Sequence, residues 1–254
     1  MLRSHRWRTA ENSAGYLLPH LRPGMALLDV GCGPGSITVD LAHRVAPGRV
    51  AAVDASAEVI ELARAAAGSA GLENLSFEVG DVYALDHEGA SFDVVHAHQV
   101  VQHLSEPVRA LVEMRRVLKP DGLLAVRDGD YGGFFWSPAD EMLDRWLVLY
   151  HELTAANRTE ADAGRHLPAW VRAAGFGSVE VSSSTWTFAA PEDRAFWGGL
   201  WADRVVESEF ARQSVEYGLS TPDELAAIAD AFTRWTEDDD GVFVTVHVEV
   251  LARP

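Results

Sequence analysis

The sequence predicts an α/β fold, a mostly parallel sheet of seven strands with helices on both faces and a helical lid inserted after the fifth strand. Three observations carry that reading. A short apolar run from Ala26 is ended by Gly31-Cys32-Gly33-Pro34-Gly35, and the next apolar residues, Ile37, Leu41 and Val45, recur at helical spacing. Apolar runs then alternate with helical patterns as far as Asp128, which implies a parallel sheet covered on both sides. Near the end, Val242, Val244, Val246, Val248 and Val250 alternate strictly and place a long closing strand.

Taken in order, Ala26 to Gly31 is the first strand and Arg49 to Asp54 the second. Between them lies the Ile37-Leu41-Val45 helix, and after them an apolar stripe of Val59, Leu62, Ala63 and Ala66 that ends at Gly68 or Gly71. Leu75 to Val79, Phe92 to Ala97 and Leu123 to Arg127 are the next three strands, with an amphipathic helix from about Pro107 to Leu118 before the last. Gly129 to Pro138 is rich in glycine and aromatics. Ala139 to Asn157 reads as a helix with Met142, Trp146, Leu149 and Leu153 on one side, and Pro168 to Ala174 as a helix that starts at its proline. Val179 to about Thr187 is a strand, and Pro191 to Trp235 is helical with a break near Tyr217 to Pro222. These elements divide the chain into an N-terminal helical cover (1–25), a core (26–130), a lid (131–163) and a C-terminal part of the core with a helical insertion (164–254).

The 254 residues carry 21 Lys+Arg against 38 Asp+Glu, a net charge of −17, and Lys119 is the single lysine. Such a surface repels nucleic acid and anionic membrane. No apolar run is long enough to span a bilayer, and the opening residues lack the apolar core of a secretory signal. One cysteine, Cys32, allows no intramolecular disulfide and suits a reducing compartment, so the expected location is cytoplasmic. No His-x-x-x-His pair or carboxylate cluster has ligand spacing, and no metal site is expected.

Glycines at 31, 33 and 35 let the backbone turn tightly and admit a ligand against it. A dinucleotide fingerprint would place glycine where Ser36 stands, and Asp29 is unfavourable beside a pyrophosphate, which opposes an NAD-dependent reductase. Asp54 closes the second strand, where a carboxylate accepts hydrogen bonds from both hydroxyls of a ribose. Adenosine without phosphates is the ligand this pattern fits.

At this point the chain resembles the class I S-adenosylmethionine-dependent methyltransferases, in particular the small-molecule group similar to the ubiquinone and menaquinone biosynthesis enzymes. The resemblance covers roughly residues 14 to 124. It rests on Leu27-Leu28-Asp29-Val30-Gly31-Cys32-Gly33-Pro34-Gly35, on Val53-Asp54, on Gly80-Asp81-Val82, on Phe92-Asp93-Val94-Val95 and on Arg116-Val117-Leu118-Lys119-Pro120-Asp121-Gly122. It implies a Rossmann-like domain whose last strand runs antiparallel, with S-adenosylmethionine as cofactor and S-adenosylhomocysteine as product. By resemblance, Gly31 and Gly33 hold the methionine end with Asp29 nearby, Tyr16 in a leading helix covers the carboxylate, and Asp54 takes the ribose. Asp81 binds the adenine amino group, Ala55 and Val82 line the base, and Ala97 and His98 sit where the methyl group meets its acceptor.

Methyl transfer needs an in-line approach and exclusion of water, and a base helps when the acceptor is a hydroxyl. His103 follows the fourth strand and Asp128 ends its neighbour, so a histidine oriented by an aspartate is one expected base and His98 the other. Tyr131, Trp136 and His151 are expected on a substrate wall, with packing inside the lid as the competing role. The expected partner is a small organic methyl acceptor, with oxygen first and nitrogen or carbon next, in secondary or cofactor metabolism. Nucleic acid and membrane are not expected partners, and a homodimer is left open. Two alternatives stand beside this reading: a cofactor-binding fold that catalyses a reaction other than methyl transfer, such as cyclisation, and a non-enzymatic scaffold.

Overall fold

A computed structural model of the chain describes residues 7–68 and 71–254, which compact as two units. One contains the described residues up to Asp128 together with Ala163–Ser183 and His247–Pro254, and the other contains Gly129–Asp162 and Ser184–Val246. The segment read above as a separate lid therefore groups with the helical insertion that follows Ser184. Among the described residues no helix is long and apolar enough to cross a membrane.

The first unit is built on strands β1 (Leu27–Val30), β2 (Val50–Asp54), β3 (Leu75–Val79), β4 (Phe92–His98) and β5 (Leu118–Gly129), ordered β3-β2-β1-β4-β5 and all parallel. Next to β5 lies β8 (Val242–Arg253), with β7 (Ser178–Phe188) paired to β8. The order reverses between β1 and β4, and in such sheets ligands bind at the carboxyl ends of the strands beside that reversal.

Side chains alternate between the two faces of each strand, and each face meets its own helices. Leu28, Val30, Val95, Leu124 and Val250 pack with Leu111 and Met114 of α4 (Pro107–Val117) and with Leu167 and Val171 of α6 (Ala163–Ala173). Leu27, Val94, Leu123 and Ala125 pack on the opposite face with Ile37, Leu41 and Val45 of α2 (Ser36–Val45) and with Ala10 of the short α1 (Ala10–Ser13). Thr9 caps α1 by accepting from the Asn12 N–H. Behind β2 and β3 runs α3 (Ala57–Gly68), with Ile60 and Ala63 buried against Phe77.

Three local expectations change. Tyr16 lies in a turn after α1, not in a helix. The α6 helix starts five residues before Pro168, so the proline sits inside the helix and does not open it. An eighth strand, β6 (Phe135–Ser137), forms from the glycine- and aromatic-rich segment and pairs antiparallel with the leading part of β8, Trp136 opposite Phe243.

The second unit holds β6, α5 (Glu141–Ala156), α7 (Pro191–Glu207), α8 (Glu209–Glu216), α9 (Pro222–Glu237) and the start of β8. Asp140, Ser208 and Thr221 cap α5, α8 and α9 by accepting backbone N–H groups, and Pro191 and Pro222 open their helices as their fixed φ allows. A Cβ at Gly198 would stand 2.2 Å from Thr236 Cγ2, so glycine permits the close approach of α7 and α9. The core of this unit is aromatic: Trp146, Trp201 and Phe232 are buried, with ring centroids 4.6 to 6.0 Å apart.

Candidate active site

The glycine loop joins β1 to α2. Gly31, Gly33 and Gly35 all have left-handed backbone, at φ 68°, 54° and 83°, a region that L side chains rarely adopt. The N–H groups of Gly31 and Cys32 both donate to the Val53 carbonyl of β2, at 2.7 and 3.0 Å. A Cβ on Gly31 would stand 2.3 Å from Val100 Cγ2, on the turn that leaves β4. Gly31→Ala is therefore expected to lower stability by at least about 1–2 kcal/mol, from the αL penalty alone. Equilibrium urea denaturation measures it, and an unchanged midpoint would contradict the strain.

Asp54 ends β2 beside this loop. Its Oδ2 accepts from the Gly33 N–H and its Oδ1 from the Ser56 N–H, both at 3.0 Å. Each oxygen keeps a second lone pair for a ligand hydroxyl. The Gly80 N–H donates to the Asp54 carbonyl at 3.0 Å and brings the end of β3 alongside. There Asp81 is exposed and accepts from the Tyr83 N–H at 2.8 Å, Val82 leans on the core, and Ala55 is exposed. These residues surround one end of the sheet.

Asp29 is buried, and both its oxygens are engaged within the protein. Oδ2 accepts from the Thr38 hydroxyl at 2.5 Å and Oδ1 meets His96 Nδ1 at 2.7 Å. It thereby locks α2 and β4 to β1 behind the glycine loop.

A row of polar side chains crosses the same sheet face, because Asp29, His96, His98, Arg127, His247 and Glu249 share the parity of the residues that pack on α2. All six are buried. Arg127 is fully buried, with Nε 3.4 Å from Glu249 Oε1, while the Ser182 hydroxyl donates to Glu249 Oε2 at 2.7 Å. Burial pulls the Arg127 guanidinium down to about 10, against the raising effect of Glu249. His98 Nδ1 lies 3.5 Å from Arg127 Nη1, and His247 Nε2 lies 3.0 Å from Gln99 Nε2. Both imidazoles are pushed well below their usual range by burial, then by the charges of Arg127 and Arg8. Gln99, directly after β4, has φ 53° and accepts from the Arg8 guanidinium. Left-handed backbone is uncommon at a non-glycine residue.

Asp128 ends β5 fully buried. The N–H groups of Val100, Val101 and Gln102 face its carboxylate, with Gln102 N 3.2 Å from Oδ1. Burial nevertheless pushes this carboxyl up to about 7, and Oδ2 has no partner. The expected pairing with His103 does not form. The turn Val101–His103 directs Gln102 inward and leaves His103 exposed, with its Nε2 3.0 Å from Gln102 Nε2. Ala97 is buried in β4.

The Tyr16 hydroxyl is also buried without a partner, among Arg127, Glu249, Asp128 and Asp29, and burial raises it well above 10. A donor left unmatched at this place fits a ligand carboxylate, and the glycine loop with Asp54 fits an uncharged ribose. The residues present thus suit S-adenosylmethionine.

The residues expected on a substrate wall pack inside the second unit. Tyr131 is buried between Phe134 and Tyr150, with centroids at 4.4 and 3.9 Å, and Trp136 stacks on Phe243. His151 has both nitrogens engaged, Nδ1 at the Leu147 carbonyl and Nε2 at Asp162 Oδ1. Sequence reading missed Gln99, Arg127 and Glu249. The available signal was a charged side chain in an otherwise apolar strand, as in Leu124-Ala125-Val126-Arg127 and Val248-Glu249-Val250.

A family model described as a methyltransferase domain matches residues 21–175. An uncharacterized methyltransferase of Schizosaccharomyces pombe is 33% identical over 98% of this chain and 91% of its own length. Nocamycin O-methyltransferase of Saccharothrix syringae is 29% identical, covering 84% of this chain and 78% of that protein. The crystal structure of the YcgJ protein of Bacillus subtilis superposes with a TM-score of 0.62 at 18% identity, covering 94% of this chain and 96% of that one.

Proposed function

This chain belongs to the class I S-adenosylmethionine-dependent methyltransferases, and on that premise we propose that it methylates an oxygen of a small organic acceptor. The observation that carries the reading is Asp54, anchored by Gly33 and Ser56 at the end of β2 with a lone pair on each oxygen left for a ribose. Similarity to nocamycin O-methyltransferase supports oxygen as the accepting atom. A net charge of −17 opposes docking of a phosphate backbone and favours a small acceptor over RNA or DNA.

When bound, the cofactor supplies an activated methyl group on a sulfonium. The chain's own part is binding, orientation and dryness. Gly31 and Gly33 present backbone to the methionine end, Asp29 holds that loop through Thr38 and His96, and Tyr16 donates to the carboxylate. Asp54 accepts from the ribose hydroxyls, Asp81 from the adenine amino group, and Ala55 and Val82 flank the base. Ala97 and His98, the last residues of β4, would stand toward the methyl-bearing end of a cofactor held in this way. Holding two reactants in line can supply most of the acceleration by itself.

Calorimetric titration with S-adenosylmethionine and S-adenosylhomocysteine, followed by a screen for S-adenosylhomocysteine release over hydroxylated and amino metabolites, tests the reading. Saturable binding and release with hydroxyl compounds is the expected result. Binding without release from any acceptor would turn the reading to a reaction other than methyl transfer, such as cyclisation, and no binding would overturn it. In the same titration Asp54→Ala is expected to weaken S-adenosylhomocysteine by about 1–3 kcal/mol, roughly ten- to hundred-fold. An unchanged affinity would remove Asp54 from the ribose.

A further inference from the structure

Asp128 is a buried acid of the first unit that the cofactor reading leaves unused, and, unlike Glu249, it keeps an oxygen that no neighbour engages. The backbone N–H groups of Val100, Val101 and Gln102, on the turn that leaves β4, face its carboxyl; Gln102 donates to Oδ1 at 3.2 Å, and Oδ2 has no hydrogen-bond partner. Buried carboxylate oxygens are almost always matched, and a bare one is among the marks of a catalytic group. The turn that cradles Asp128 is the one whose Val100 methyl groups press on Gly31. The carboxylate thus sits on the neighbouring side of the turn that bounds the glycine loop.

Resting on the hydroxyl-acceptor reading above, we propose that Asp128 Oδ2 takes the acceptor's proton during methyl transfer. The acceptor oxygen bonds to the methyl carbon, the sulfur–carbon bond breaks with its electron pair left on sulfur, and the hydroxyl proton ends on Oδ2. The groups around the carboxyl are Arg127 on its own strand, Tyr16 from the segment before β1, and the Val100–Gln102 backbone, with Glu249 and Asp29 acting on the same cluster through Tyr16. Their balance leaves the carboxyl at about 7, where one group can both carry charge and accept a proton near neutral pH. His98 and His247 are weaker bases, since burial and two guanidinium charges disfavour their protonated forms.

Asp128→Asn tests this on the full chain, because asparagine keeps the Oδ1 that faces the turn and changes Oδ2 alone. The expected result is a fall in kcat of about 100-fold or more with S-adenosylhomocysteine affinity unchanged. The wild-type rate should rise with pH through about 7, and that rise should vanish in the variant. A second readout needs no substrate. The folded carboxyl holds its proton up to about 7 against a reference of 3.8, so between these values the native state binds more protons than the unfolded one and stability falls as pH rises. Asp128→Asn should flatten that slope in the melting temperature.

A parallel loss of S-adenosylhomocysteine affinity with the pH rise intact would place Asp128 on the cofactor and overturn the proposal. So would an unimpaired variant, with the loss and the pH dependence carried instead by His98→Ala or His103→Ala. Wild-type failure on every hydroxyl compound would remove the acceptor reading and this role together, whereas wild-type turnover matched by the variant would remove this role alone.

Discussion

Glu249→Ala is expected to destabilise the protein by about 3–5 kcal/mol, because it strands the Arg127 guanidinium in the sheet interior without its carboxylate. Arg127 is fully buried and Glu249 nearly so, which puts the pair outside the weak regime of surface ion pairs. The Ser182 hydroxyl that donates to Glu249 loses its acceptor in the same step. Urea denaturation at constant m value reads the loss as a lower midpoint. The double variant Arg127→Met with Glu249→Leu should recover much of it, since replacing both partners of a buried pair by apolar groups is often neutral. An equal loss in single and double variants would mean that packing, not the unpaired charge, sets the cost.

That ion pair also shows where the sequence stops being informative. The glycine loop and Asp54 were readable because each stands at the end of an apolar run, and local backbone freedom defines their role within a few residues. Asp29, His98, Arg127 and Glu249 come together only through strand register, His98 opposite Arg127 and Asp29 opposite His96, and register is a property of the folded sheet. A lone charge in an apolar strand announces that something pairs with it, without naming the partner. The neighbourhood of β4 and β5 brings the turn that carries His103 to Asp128, yet burial differs from one residue of that turn to the next. Gln102 is buried and His103 is exposed, so the backbone of Gln102 meets the aspartate while the histidine expected to pair with it meets the Gln102 side chain. Pro168 misled for a similar reason: proline is favoured at a helix start, but the burial of Ala163, Gly164 and Leu167 extends α6 back beyond it.

The aromatic second unit divides the remaining question into packing and recognition, and Trp146→Ala separates them. The Trp146 ring is fully buried, edge-on to Trp201, Phe232 and Trp136 at 4.6, 5.3 and 6.1 Å and close to Phe243 at 6.0 Å. Removing it leaves a cavity that so many rigid rings cannot fill, and the expected loss is about 3–5 kcal/mol in chemical denaturation. Trp146→Phe should cost much less. Its ring keeps most of the contact area, and the indole Nε1, which has no partner, takes with it an unmatched donor whose burial itself costs about 1–3 kcal/mol. A large gap between the two variants with kcat unchanged identifies Trp146 as core, as its six ring neighbours indicate. If Trp146→Ala left the denaturation midpoint in place and raised KM for the acceptor, the ring would belong to a binding wall, and the donor would be awaiting an oxygen of the substrate.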